Sequence, residues 1–162
     1  MAENPNILSS SAQRVQDFLQ KKGLSVTVVE LPASTRTAQE AAQAIGCTVG
    51  QIVKSLVFQT VTTKRPILVL ASGINRVNEK AIEHFLQEKL VKADAQFVRD
   101  ATGFAIGGIP PVGHKEQIET FIDEDLLTYP EIWAAAGTPF AVFCLPSAKL
   151  ERLTAGRIIS IK

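Results

Sequence analysis

The chain is short of the residues on which much protein chemistry depends: it has one Trp, one Tyr, one Met, two Cys and two His among 162 residues. Two histidines, His84 and His114, are too few for a histidine-based metal centre. Cys47 and Cys144 stand in no metal-binding or redox spacing and read as reduced thiols. No metal and no cofactor is expected. Charge is equally spare, since 17 Lys and Arg against 16 Asp and Glu leave a net +1. No global field therefore attracts DNA, RNA or a membrane, and any RNA contact must come from a local cluster of cations. No apolar run approaches the roughly 20 residues of a membrane helix. The polar start, Met1 to Ser11, lacks the apolar segment of a signal peptide. A cytoplasmic protein without membrane contact is the expectation.

The signatures of familiar enzymes are missing too. There is no nucleophile elbow around a serine, no dinucleotide fingerprint and no zinc helix motif. Gly108 to Gly113 has the glycine spacing of a phosphate loop. However, His114 and Lys115 follow where Lys and Ser or Thr are required, and Pro110 and Pro111 remove N–H groups that would cradle phosphate.

What is present is a core-forming pattern, 46% hydrophobic, in a length that suits one domain. Ser10 or Ser11 can cap a helix to about Lys22, with Val15, Phe18 and Leu19 on one face and Gly23 as its stop. Leu24 to Leu31 alternates like a strand. Thr37-Ala-Gln-Glu40 is a capping box for a helix ending at Gly46, and Thr48 to Gln51 repeats the form. Ser55 to Val61 and Pro66 to Ser72 read as paired strands joined at Thr62 to Arg65. Asn78 caps a helix to about Leu90 whose buried face would hold Ala81, Ile82, Phe85 and Leu86, and Asp94 caps another through Asp100. Strands are expected over Ile118 to Ile122, Phe140 to Leu145 and Arg157 to Ile161. Pro130 can open a helical turn ending near Ala136, and Ser147 can cap a helix through Leu153. Because these elements do not alternate as βαβ units, the fold class is α+β. A single domain is expected, with helices around a mixed, barrel-like sheet of roughly six or seven strands. Residues 1–23 form a tail and helix of that same domain, and residues 24–162 carry the rest.

The most informative segment is Gly107-Gly-Ile-Pro-Pro-Val-Gly-His114. Its prolines fix φ and restrict Ile109 and Pro110 to extended geometry, while its glycines let another group approach the main chain. A stiff bend with unpaired main-chain groups is a candidate site made of backbone. Lys54, in Gln-Ile-Val-Lys-Ser-Leu-Val-Phe, either snorkels to the surface or enters a cleft to meet phosphate or a developing negative charge. Thr35-Arg36-Thr37 reads as helix entry or as hydroxyl contacts to a ligand. Ser72, Gly73 and Arg76 form a turn facing solvent or phosphate, and Ala136-Gly137-Thr138 is another small-residue break. His114 leaves three roles open: a loop hydrogen bond, a substrate contact or a general base.

Taken in order, Arg36-Thr-Ala-Gln-Glu-Ala-Ala42, Gln51-Ile-Val-Lys-Ser-Leu-Val-Phe58, Gly73 with Arg76-Val77, Thr102-Gly103 and Gly107 to His114 resemble the YbaK family of prolyl-tRNA synthetase-associated editing domains. The likeness spans about Leu24 to Lys162. It implies a trans-editing deacylase that hydrolyses the ester of a mischarged tRNA. Mischarged tRNA, through its 3′ aminoacyl end, and an aminoacyl-tRNA synthetase are the implied partners, and no metal is used. By the same resemblance Lys54 holds the terminal adenosine phosphate or aminoacyl end. The backbone of Gly107, Gly108, Ile109 and Pro111 positions the ester carbonyl and an attacking water. Thr35, Thr37, Ser72, Arg76, Pro110, Gly113, His114, Gly137 and Thr138 are the candidate substrate-binding residues. Family members often carry two glycines after an alanine where this sequence has Gly137 and Thr138. An activated ester needs geometry and oxyanion stabilisation more than a protein nucleophile. A small pocket would favour Ala, Ser, Thr or Cys. The residues alone also fit a non-catalytic module that binds tRNA or a synthetase, or a small-molecule binding protein.

Overall fold

The computed structural model describes residues 7–162. Its centre is a hairpin of β-branched and apolar residues, β2 (Ile52–Thr60) and β3 (Pro66–Ser72), paired antiparallel from Val53 opposite Ser72 to Gln59 opposite Pro66. Around it run β1 (Val29–Glu30), β4 (Leu90–Lys92), β5 (Glu119–Asp123), β6 (Glu131–Ala135), β7 (Ala141–Pro146) and β8 (Arg157–Ile159). They form one eight-stranded mixed sheet in the order β1-β7-β6-β2-β3-β5-β8, with β4 paired to β2 beside that path. The α+β class stands. Eight strands replace the expected six or seven because β6 lies where a helical turn was expected and β4 begins at the expected end of the helix from Asn78.

Period-2 alternation divides the core between the sheet's two faces. Leu68 and Leu70 of β3 face a cluster with Val53, Val57, Ile109, Val112 and Phe143, against which α1 (Ser10–Lys21) lays Ala12, Val15 and Leu19. Ile67, Val69 and Ala71 face the other side, with Phe58, Phe121 and Ile82 of α3 (Glu79–Leu86). A smaller cluster joins Ile52 to Ala41 and Ala42 of α2 (Ala38–Ile45), with Trp133 packed against it. Three caps form as their sequences dictate: Thr37 accepts from Glu40 N–H at 3.1 Å, Asn78 from Lys80 N–H at 3.1 Å, and Asp94 from Phe97 N–H at 2.8 Å. Asp94 opens α4 (Ala95–Thr102).

Tertiary contacts overrule local pattern at several places. Of the expected strand Leu24–Leu31, only Val29 and Glu30 find a strand neighbour, β7. The buried amide of Gln16 replaces a strand for the rest, donating to Val26 C=O at 2.8 Å and accepting from Val28 N–H at 2.7 Å. The helix from Asn78 ends at Leu86 rather than Leu90, with Gln87 left-handed at φ 56°. Leu90 instead pairs with Thr60 and is buried, and Glu83 Oε2 accepts its N–H at 2.8 Å. Phe85 is 42% exposed, under the Arg157 guanidinium, which sits 5.0 Å from its ring centre. Pro130 opens no helix: Glu131–Ala135 pairs with β7 antiparallel and β2 parallel, because Ile132 and Ala134 gain a buried face only as strand residues. Ser147 is not a cap, since its hydroxyl donates to Tyr129 C=O; it leads through a 3₁₀ turn, Ser147–Lys149, into α5 (Leu150–Thr154).

Candidate active site

β2 is a long strand whose outer edge is shared by two short neighbours. Pairing with β6 covers Ile52 and Val53, and pairing with β4 covers Phe58 to Thr60. Between them Lys54 to Val57 have no strand beside them on that edge. Ile52 C=O accepts from Gly73 N–H and Thr60 N–H donates to Arg65 C=O, both toward the hairpin. Alternation therefore turns the main-chain groups of Ser55 and Val57 toward the gap. Val57 C=O accepts from Ala93 N–H at 3.3 Å, at the far end of the gap.

Two clefts meet at this gap. The smaller, about 330 Å³, lies between α2 and the Gly/Pro segment and is lined by apolar residues including Ala41, Ile45, Trp133, Ala134 and Val142. Its polar residues are Thr35, Arg36, Thr37, Lys54 and Ser55, and Gly107 and Ile109 line it beside them. The larger, about 540 Å³, runs toward β4 and carries Arg76, Lys92 and Glu79. Lys54, Ser55, Leu56, Ile106 and Ile109 line both and so mark the junction. Four cations, Arg36, Lys54, Arg76 and Lys92, against one carboxylate, Glu79, make the local basic patch that the net charge of +1 does not show.

Lys54 does not snorkel freely. Its ammonium donates to the backbone carbonyl of Asn75 at 2.5 Å. Asn75 is buried, and its amide donates to Asp123 Oδ2 and Asp125 Oδ2, each at 2.8 Å. Asp123, fully buried, also accepts from Ser72 N–H and Asp125 N–H, both at 2.9 Å, and Asp125 pairs with Lys162 at 3.0 Å. A buried carboxylate thus holds the turn on which the lysine leans. Burial pushes the Lys54 pKa below its ordinary value; the Asp123 charge opposes that shift and Arg76 adds to it. Asp123 is visible in the sequence only as an acid ending the apolar run Phe121-Ile122, and Asn75 and Ser55 carry no local signal at all.

The Gly/Pro segment is more buried than a surface loop, with Gly108 through Val112 all in the interior. Gly107 is left-handed at φ 101°, lying under the Arg36 side chain. Gly108 sits against the backbone of Thr138: a Cβ there would lie 2.7 Å from Thr138 N, Cα and C. Gly137 N–H donates to Gly108 C=O at 2.8 Å, and Gly108 N–H to Ala105 C=O at 3.2 Å. Among the described residues, no protein group accepts from the N–H of Gly107 or Ile109.

Of the expected site residues, the structure brings Lys54, Gly107, Ile109, Thr35 and Thr37 into the smaller cleft and Arg76 into the larger one. It does not bring the others there. Thr35 is buried, and its N–H and hydroxyl both serve Pro139 C=O. Ser72 is buried, its hydroxyl donating to Gly50 C=O at 2.7 Å. Gly137 and Thr138 back the loop through Gly108, and Pro110 is interior. Pro111, Gly113 and His114 line a separate cleft of about 300 Å³ with Phe18, Lys22 and Arg152. There His114 Nε2 is 2.7 Å from Pro110 C=O. Burial lowers the His114 pKa, and the bond to Pro110 opposes that less strongly. The ring of His114 bonds back to the loop in a cleft that does not contain Lys54, because the buried Pro110 and Pro111 carry the backbone through the interior between them.

The aminoacyl-tRNA editing domain family matches residues 32–153. A crystal structure of a protein provisionally named a trans-editing enzyme for prolyl tRNA synthetase is 50% identical, covers 96% of this chain and 99% of its own, and superposes with a TM-score of 0.91. A protein of Enterococcus faecalis, provisionally named a Cys-tRNA(Pro)/Cys-tRNA(Cys) deacylase, is 28% identical over 130 residues, 73% of this chain and 77% of its own. The proline–tRNA ligase of Bacillus licheniformis is 32% identical over 91 residues, which are 56% of this chain but 16% of the ligase. No helix among the described residues is long and apolar enough to cross a membrane.

Proposed function

The chain belongs to the aminoacyl-tRNA editing domain family, and from that premise we propose that it is a free-standing deacylase. It hydrolyses the ester of a mischarged tRNA bearing a small amino acid of the Ala, Ser, Thr or Cys class. The observation that supports this best is that Gly107 and Ile109, whose N–H groups have no acceptor among the described residues, line one small apolar cleft with Lys54. The side chain of the esterified amino acid occupies that cleft, and the terminal nucleoside extends into the larger one, where Arg76 and Lys92 meet its phosphate. The lining of Ala41, Ile45, Trp133 and Val142 selects by size.

Water adds to the ester carbonyl carbon, and negative charge collects on the carbonyl oxygen. Backbone donors fixed by the buried segment stabilise that oxyanion without reorganising. Collapse breaks the bond to the ribose oxygen, which takes up a proton as the free amino acid leaves. Among residues lining the clefts Glu79 is the lone carboxylate, and it lines the larger cleft only. Proton transfer therefore falls to water or to a substrate group such as the neighbouring ribose hydroxyl.

The test is a deacylation screen against tRNAs charged with Ala, Ser, Thr, Cys and Pro, with Lys54→Ala alongside. Hydrolysis of at least one small aminoacyl ester is expected, reduced about 10²-fold or more in the variant while its fold persists. Retention of tRNA or a synthetase with no hydrolysis of any ester would favour a binding module instead.

A further inference from the structure

One polar atom in the described structure stands out from the hydrogen-bond pattern. Ser55 Oγ is closed off from solvent and has no hydrogen-bond partner. Buried hydroxyls are ordinarily paired, because an unmade bond keeps the full cost of desolvation. Ser55 lies on β2 between Val53 and Val57, two core residues that share its face. An alanine there would suit the core better. The same residue lines both clefts and sits at the gap where neither β6 nor β4 covers the edge of β2. Ile109, whose N–H is free, packs into the core cluster on that same face.

A substrate whose amino-acid part fills the small cleft and whose nucleoside fills the larger one must place the ester linking them at their junction. We propose that Ser55 is a catalytic residue whose hydroxyl, closed off from solvent in the cleft wall, turns about χ1 toward the substrate and donates a hydrogen bond to the ester carbonyl oxygen, completing an oxyanion site begun by the backbone of Gly107 and Ile109. This rests on the deacylase reading above. The hydroxyl keeps its proton throughout, and water remains the nucleophile. The bond is strongest when the carbonyl oxygen carries its negative charge, so the contribution appears in kcat rather than in KM. An unsatisfied hydroxyl at a site of chemistry is a stability cost retained for function.

Stability and activity should therefore move apart in a single variant. In Ser55→Ala, kcat on the preferred misacylated tRNA should fall about 10²-fold with KM changed less than about twofold. The thermal midpoint should stay level or rise by a few degrees, because a buried unpaired hydroxyl has gone. Unchanged kcat in the folded variant would overturn the assignment. So would a fall in kcat accompanied by a lowered midpoint, which would make Ser55 structural. Wild-type protein inactive on every ester in the panel would instead overturn the deacylase reading itself, so the two failures are distinguishable.

Discussion

The two halves of the Gly107–His114 segment face different clefts, with different side chains around each. On the front, the N–H groups of Gly107 and Ile109 have no acceptor within the described protein, beside a Ser55 hydroxyl in the same condition. On the back, the His114 ring closes onto Pro110 C=O and Gly113 packs against Phe18. Both halves are rich in glycine and proline, so composition does not tell them apart. What differs is the side chains beside each half: Lys54 and Ser55 at the front, and a His114 ring already bonded to the loop at the back. A front whose free donors line a cleft with Lys54 can stabilise a charge that exists only in the transition state, whereas a back whose imidazole is taken up by its own loop fixes where the front stands.

Substitutions at one glycine in each half carry the largest expected difference. Gly108→Val places a Cβ 2.7 Å from the Thr138 backbone, which lacks the freedom of a flexible side chain to move aside. We expect destabilisation of about 1–3 kcal/mol by urea titration and, in the fraction still folded, about 10²-fold slower deacylation as Gly107 and Ile109 shift. Gly113→Ala, with φ at 81°, should cost about 1 kcal/mol of stability and leave turnover within about twofold. Equal loss of activity in both variants would erase the distinction between front and back.

A smaller effect is expected below the site. Asp123→Asn keeps the shape but removes the charge that opposes the lowering of the Lys54 pKa. Lys54 should then lose its proton at lower pH, moving the alkaline limb of the pH–kcat profile downward, at a stability cost of about 1–3 kcal/mol. Destabilisation with an unmoved alkaline limb would reduce Asp123 to a structural carboxylate.

The smallest effect belongs to the back. The His114 pKa is lowered by burial, so the unfolded protein binds a proton more readily than the folded one. Its contribution to stability is therefore complete above the ordinary histidine value of about 6.5 and is lost as pH falls below it. His114→Gln, which can still donate to Pro110 C=O, should flatten the fall in unfolding free energy between pH 7 and 5 while changing turnover less than about twofold. A turnover loss exceeding tenfold would place His114 in the chemistry after all.

Much of this is legible in the sequence. The capping residues Thr37, Asn78 and Asp94, the β2–β3 hairpin and the helix stop at Gly46 follow from interactions within a few residues. Lys54 and the Gly/Pro segment are legible as candidates because a cation amid apolar residues and a stiff bend are both unusual locally. Other features have no local signal. Nothing in Glu131–Ala135 distinguishes a strand from a turn of helix until β2 and β7 lie beside it. Asp123, Asn75 and Ser55 look like ordinary polar residues until burial removes water as their alternative partner.

Local sequence was enough, by itself, to determine the α+β class, because caps, turns and backbone-restricted loops depend on near neighbours, and the order of its motifs carried the resemblance to the family. The tertiary structure alone decided which part of the Gly/Pro segment faces Lys54, since two prolines carry the backbone through the core and leave His114 on the other side. It also decided that the candidate site sits at a break in strand pairing. Which backbone donors remain free depends on partners distant in sequence, and no local pattern records the absence of a neighbour.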